Sequence, residues 1–197
     1  MSDHLPPLHG LVLAGGHSRR FGQDKGSFRP APDEEPLALR ALQLLKPFCQ
    51  RRLLSLRPGQ VIDWVIPPDV ERCDDCFGES GPLGALLSAW ECAPEAAWLV
   101  VACDLAVLDS EALAILVNGR KSLRPATAFA HPGDGKPEPL CAIYEPFAQR
   151  ILHTALAEGR RSLRRYLEWA VPADALLTPS HPQALMNFNT LADFDHS

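Results

Sequence analysis

A chain of 197 residues, with 46% hydrophobic and 22% charged residues, has an ordinary globular composition and the length to bury a full core without staples. The formal net charge of -5 argues against a general nucleic-acid binder, because it would oppose the phosphate backbone, while leaving room for a local basic site for a small phosphate ligand. No window approaches the length of a membrane span.

The opening "MSDHLPPLHG" carries Asp3 and prolines where a secretory signal has a basic start and an apolar core. "LHGLVLAGG" then reads as a short buried strand ending in glycine, followed by a loop that packs two arginines, an aspartate and a lysine into nine residues after Gly16. "EEPLALRALQLLKPF" places Leu37, Ala41, Leu44, Leu45 and Phe48 at helical spacing, with Pro36 in the first turn and Pro47 marking the end. "RRLLSL" and "VIDWVI" read as two short strands. "GPLGALLSAWECA" reads as a helix opening on Gly-Pro, with Leu83, Leu86, Leu87 and Trp90 on one face. "AAWLVVACD" is a nearly continuous apolar run ending in a carboxylate, the pattern of a central parallel strand buried on both faces. "DSEALAILVNG" has an Asp cap, helical spacing and a glycine stop.

Beyond residue 118 the alternation loosens. "ATAFAH" and "EPLCAIY" read as strands around the turn "PGDGK", "EPFAQRILHTALAEG" and "RSLRRYLEWA" as helices, and "LMNFNTLADF" as a short strand with a capped last turn. The βαβα order predicts an α/β fold: three layers, α/β/α, around a mostly parallel twisted sheet, in one domain spanning 1–197. Of the six cysteines, Cys92, Cys103 and Cys141 sit in apolar stretches, where a thiol behaves as a small core residue, and the expectation is a reduced cytoplasmic protein. Cys73 and Cys76 have a metal-like spacing, but a structural zinc site wants a second pair and the chain has none.

In a parallel α/β sheet, ligands bind at the carboxyl ends of the strands, where the first loop lies. Gly15 and Gly16 can adopt positive φ and let backbone N–H groups approach a phosphate, and Arg19, Arg20 and Lys25 bring positive charge. Composition alone leaves two readings open, a solvated surface loop and a phosphate loop. A Walker A loop is excluded: five residues separate Gly16 from Gly22, Gln23 and Asp24 intervene before Lys25, and Gly26 follows it. A dinucleotide fingerprint is disfavoured, because the second strand ends in Leu56 and Arg57 where an acid is needed.

The order Leu13, Ala14, Gly15, Gly16, Ser18, Arg20, Gly22, Asp24 and Lys25, nine positions over thirteen residues, resembles the nucleotidyltransferase loop of the molybdenum cofactor guanylyltransferases, the MobA family. "DDCFGESGPLGALLSAW", "VVACDLAVL", "PEPLCAIY", "EGRRSLRRYL" and "MNFNTLADF" resemble further landmarks of that family, in the same order, so that the resemblance spans residues 8 to 195. It implies a Rossmann-like nucleotidyltransferase fold, with a nucleotide-binding half over 8–118 and an acceptor-binding half over 119–197. It implies transfer of GMP from GTP to molybdopterin, with release of pyrophosphate. Carried onto this sequence, it implies nucleotide contacts at Leu13, Ala14, Gly15, Gly16, Lys25, Ser55, Asp74 and Asp104, with Lys25, Arg20 and Asp104 as the catalytic set. Asp104 would bind Mg²⁺, a cation suited to one or two carboxylates plus phosphate oxygens. Arg161, Asn187 and Asn189 would meet the acceptor. Cofactor-biosynthesis proteins or apo-molybdoenzymes are the implied protein partners.

Bland readings stand beside these. Asp104 also suits a turn or cap, Asp74 and Asp75 a solvated pair, Arg160, Arg161, Arg164 and Arg165 a solvated helix face, and Asn189 a helix cap. The sequence also departs from the family pattern. Ala106 stands where Pro is frequent, Ser55 where Asn often meets guanine, Gly84 and Ala85 where Ala-Gly or Gly-Gly is usual, and Glu138 where His often precedes the acceptor-strand proline. These departures bear on base preference and acceptor identity more than on reaction type. The alternatives are a related transferase using CTP or another phosphate acceptor, such as a sugar 1-phosphate, and a nucleotide-binding module without catalysis. The "LAGG" form favours GTP over the cytidylyl relatives' Leu-Ala-Ala-Gly, and retention of Lys25 and Asp104 favours an enzyme.

Overall fold

Along the chain come β1 (Leu8–Leu13), α1 (Leu37–Leu45), β2 (Arg52–Leu56), β3 (Glu71–Asp74), α2 (Pro82–Cys92), β4 (Ala97–Ala102), α3 (Ser110–Asn118), β5 (Ala126–Ala130), β6 (Pro137–Tyr144), α4 (Ala148–Ala157) and α5 (Leu163–Ala170). These elements are those of a computed structural model, which describes residues 5–16, 26–31, 33–78 and 80–187. The strands form one six-stranded sheet in the order β3-β2-β1-β4-β6-β5. β1, β2, β3 and β4 run parallel, and β6 is antiparallel to both β4 and β5.

Alternation along the strands builds the two cores. In β1, Val12 packs on the face shared with α1 and α3, and Leu11 on the face shared with α2, α4 and α5. In β4, Leu99 and Val101 take the first face, and Trp98 and Val100 the second. Successive side chains of a strand point to opposite faces, so a strand covered on both sides reads as a continuous apolar run. The result is the expected α/β/α sandwich.

Local signals place the helices. Asp109 caps α3 by accepting from the Ala112 N–H at 2.8 Å. Gly81 precedes α2 at φ +62, a conformation that side-chain-bearing residues rarely adopt, and Pro82 opens the helix behind it. Pro36 caps α1 from just outside the helix rather than sitting in its first turn.

Two strand expectations need correction. Residues 61–66 are not a strand. Ile62, Trp64 and Ile66 pack partly on the α1 side of the core, while Val61 and Val65 are exposed, so the burial alternates without any ladder partner. The strand that pairs with β2 is instead β3, whose four residues include only one buried side chain, Cys73. A polar edge strand is a common guard against edge-to-edge pairing, and it hides from hydrophobic patterning. At the other end, Met186 and Asn187 follow a 3₁₀ turn at Pro182–Leu185 and form no strand; the rest of "LMNFNTLADF" lies outside the described residues.

A buried ion pair closes the amino edge of the sheet. The Arg120 guanidinium donates to both Glu145 carboxylate oxygens, at 2.6 and 2.9 Å, and to the Pro6 carbonyl at 3.0 Å. No described helix is long and apolar enough to cross a membrane.

Candidate active site

The strand order reverses between β1 and β4: from β1 the chain proceeds outward to β2 and β3, then returns through α2 to β4 on β1's other side. Such a switch point leaves a crevice at the carboxyl ends of the strands, where loops diverge to opposite sides. A cavity of about 190 Å³ lies there, lined by Leu13, Ala14, Gly15, Gly16, Ser55 and Asp104, all six singled out from the sequence. Larger hollows of about 480 and 560 Å³ lie elsewhere, over α1 and between α4 and α5, so size alone does not select the site.

The glycine turn is built by close approach rather than by unusual torsion. Neither Gly15 nor Gly16 has positive φ, contrary to the freedom expected of them. A Cβ added to Gly15 would lie 3.2 Å from the Arg57 backbone nitrogen and 3.3 Å from the Leu56 carbonyl carbon, whereas one added to Gly16 would meet no atom of the described residues within 4 Å. The strand ladder continues into the turn, with the Ala14 N–H donating to the Ser55 carbonyl at 3.0 Å. Beyond β2 a Pro58-Gly59 turn, with Gly59 at φ +73 and the Gln60 N–H donating to the Arg57 carbonyl at 3.0 Å, has the signature of a type II turn. From that turn Arg57 Nη1 donates to the Gly15 and Gly16 carbonyls, each at 3.1 Å, and Gln60 Nε2 donates to the Ala14 carbonyl at 3.1 Å. Arg57 also lines the crevice. Neither residue was named from the sequence as part of the site, although Pro-Gly immediately after a strand marks a turn at its carboxyl end.

Asp104 projects from the end of β4, where the Cys103 N–H donates to the Leu13 carbonyl at 3.2 Å and so holds the two strand ends together. A half-buried carboxylate at a crevice wall supplies the hard oxygen that Mg²⁺ takes. No cluster of three or more His, Cys, Asp or Glu capable of holding a metal occurs among the described residues. The Asp104 carboxylate fits a cation that completes its shell with phosphate oxygens and water.

Near Asp104 on β6 lies Glu138, only 2% exposed. Burial pushes its carboxyl above the usual range and the Asp104 charge adds to the rise, while the Leu140 N–H, donating at 2.8 Å, and Arg164 at 3.6 Å oppose it. An acid with a raised folded-state pKa costs stability as pH climbs above its unfolded value. Wild type is therefore expected to lose stability relative to Glu138→Gln as pH rises from about 4.5, levelling off once the folded carboxyl ionises. Melting curves of both proteins from pH 4 to 8 read this directly, and a pH-independent difference would contradict it.

Other sequence-selected residues fall elsewhere or outside the description. Asp74 is half-exposed and accepts from Arg72 Nε at 2.9 Å, whereas its neighbour Asp75 lines the crevice. Asp75 Oδ1 accepts from the Phe77 N–H at 2.8 Å and lies 3.3 Å from the Ser88 hydroxyl, anchored to α2. Arg161 lines the 560 Å³ hollow with Arg160, Arg165 and Trp169. Pro82 lines the crevice and Leu83 this hollow, so the first turn of α2 stands between them. Asn187 is exposed after the last 3₁₀ turn. Arg19, Arg20, Lys25 and Asn189 lie outside the described residues. Of the cysteine pair, Cys73 is buried in the core, its thiol pushed up to about 12, and Cys76 Sγ lies at the surface 3.3 Å from the Ser88 hydroxyl.

A glycine turn after β1 and a carboxylate after β4 border one crevice at the switch point of the α/β sheet. The chain belongs to the MobA-like NTP transferase domain family, which matches residues 10–175. It is 32% identical, over 95% of its length, to a "molybdenum cofactor biosynthesis bifunctional protein" of Synechocystis, of which it covers 53%, about half. It is also 32% identical to a "probable molybdenum cofactor guanylyltransferase" of Chloroflexus aggregans, covering 95% of this chain and 93% of that one. A crystal structure of molybdopterin-guanine dinucleotide biosynthesis protein A from Archaeoglobus fulgidus shares the fold, with a TM-score of 0.68, 22% identity and 95% coverage of both chains.

Proposed function

We propose that this chain transfers GMP from GTP to molybdopterin in the cytoplasm, forming the guanine dinucleotide cofactor and releasing pyrophosphate. One observation carries the reading: the glycine turn and Asp104 meet in one crevice in a member of an NTP transferase family. The guanylyl specificity is taken from the names of the relatives. The chain acts as a single domain, with 8–118 holding the nucleotide and 119–197 the acceptor through Arg161, Asn187 and Asn189. The terminal phosphate of the pterin attacks the α-phosphorus of GTP in line, the bond to the bridging oxygen breaks, and pyrophosphate leaves.

Such chemistry needs positioning and charge neutralisation more than covalent help. The Gly15 and Gly16 N–H groups donate to phosphate oxygens. Lys25 and Arg20 balance the charge of the triphosphate as it shifts toward the leaving pyrophosphate. Asp104 would hold Mg²⁺, which would supply Lewis-acid polarisation of phosphate oxygens. Ser55 and Asp75 face the nucleoside from the β2 side.

A thermal-shift panel of GTP, CTP, ATP and UTP, each with Mg²⁺, tests the base. A ligand at a hundred times its Kd stabilises the native state by ~2.7 kcal/mol. For a domain of this size that corresponds to a rise of roughly 5–11 °C. GTP alone is expected to give it. A shift with CTP and none with GTP overturns the guanylyl assignment.

A further inference from the structure

The Ala14, Gly15 and Gly16 carbonyls are all engaged from one side, by two side chains of one turn. Gln60 is only 7% exposed, and its Oε1 accepts from the Arg57 N–H at 3.0 Å, so the two residues lock each other. The turn is in turn held by Arg72, whose Nη2 donates to the Gln60 carbonyl at 3.0 Å. Within a trans peptide, C=O and N–H point in opposite directions. The Gly15 N–H shares its peptide with the Ala14 carbonyl, and the Gly16 N–H with the Gly15 carbonyl. Both donors therefore face away from Gln60 and Arg57. Among the described residues, no acceptor takes either of them. A crevice meant for phosphate must also keep carbonyl oxygens off it, since they would repel an anion. Here a guanidinium draws two of them aside, and no described carboxylate pairs with its charge.

We infer that Arg57 and Gln60 are positioning residues for the triphosphate, holding the Ala14–Gly16 backbone with its carbonyls turned to β2 and its N–H groups turned to the ligand. This rests on the NTP-transferase reading of the same crevice but not on the identity of the base. It also accounts for Gly15 itself, since a Cβ there would push the turn off the Arg57 backbone.

The test uses the full chain, with GTP and with inorganic tripolyphosphate, which has the phosphates and no base. Arg57→Ala and Gln60→Leu are expected to raise the KM for GTP and the Kd for tripolyphosphate about tenfold or more, the loss expected for a charge-assisted or preorganised contact. The KM for the acceptor should stay within twofold of wild type. Arg57→Lys, which keeps the charge without the planar fork, should recover part of the loss. A merely structural role would lower the melting temperature and the active fraction while leaving both constants unchanged, and that result overturns the inference. So does failure of the wild type to bind tripolyphosphate. If the wild type binds tripolyphosphate and the variants lose it, yet GTP is not a substrate, the positioning role holds and only the guanylyl reading falls.

Discussion

Asp104→Ala is expected to lower guanylyl transfer by ~10²–10³-fold or more, the range seen when one preorganised electrostatic contact to the reacting group is removed. The variant should stay folded, because Asp104 is only half-buried at a crevice wall. Asp104→Asn keeps the shape and loses the charge, so it should fail as fully, and chelation of Mg²⁺ should silence the wild type in the same pyrophosphate-release assay. Lys25→Ala is expected to fall by a similar factor, with Lys25→Arg retaining part of the activity, since a fork replaces a point charge. The Lys25 expectation rests on the loop motif alone, as the residue lies outside the described structure. Undiminished transfer by Asp104→Ala or Lys25→Ala would remove that residue from the catalytic set.

The second large effect concerns stability alone. Glu145 is fully buried, and Arg120 supplies its two carboxylate hydrogen bonds while also tethering Pro6. Arg120→Ala would leave a carboxylate in the interior without its counter-charge, a change that costs ~3–5 kcal/mol in comparable buried pairs. For a domain of this length the melting temperature should drop by roughly 6–20 °C. Replacing both partners by apolar residues of similar volume, as in Arg120→Met with Glu145→Leu, should recover most of it, because the isolated charge is the source of the penalty. The pair sits at the amino edge of β1, opposite the crevice, so the KM for GTP of the folded fraction should not move. A loss below about 1 kcal/mol in urea unfolding of Arg120→Ala would show the pair to behave like a surface bridge.

The elements legible in the sequence share one property: their patterning is local and strong. β4 is an unbroken apolar run, β1 ends in the apolar Leu11-Val12-Leu13, α3 carries its own Asp cap, and α2 announces itself with Gly81-Pro82. Residues 61–66 carry a real two-residue alternation of burial, yet their inner side chains pack on the core without a neighbouring strand. β3 is the reverse case, a strand defined by its ladder to β2 and almost invisible in its side chains. Hydrophobic period reports burial, whereas pairing is decided by a partner elsewhere in the chain.

The candidate site divides along the same line. The glycine turn and the strand-ending Asp104 were legible because they lie within short stretches next to strand ends, Ser55 was placed by the family resemblance, and the basic residues of the loop lie outside the described residues. Asp74 and Asp75 could not be separated by composition, since adjacent residues leaving an extended strand point in opposite directions. Folding sends Asp74 to Arg72 and Asp75 to the crevice. Arg57 and Gln60 were missed because their role exists only through the register of β2 beside β1, which brings residues more than forty positions apart into hydrogen-bonding distance. The chain alone thus specified the α/β layering and the strand ends through local patterning, and the class of chemistry through the family resemblance that its short motifs carry. Which acid lines the crevice, what holds the glycine turn and where the basic cluster lies were decided by strand register and helix packing, which couple distant residues and leave no local trace.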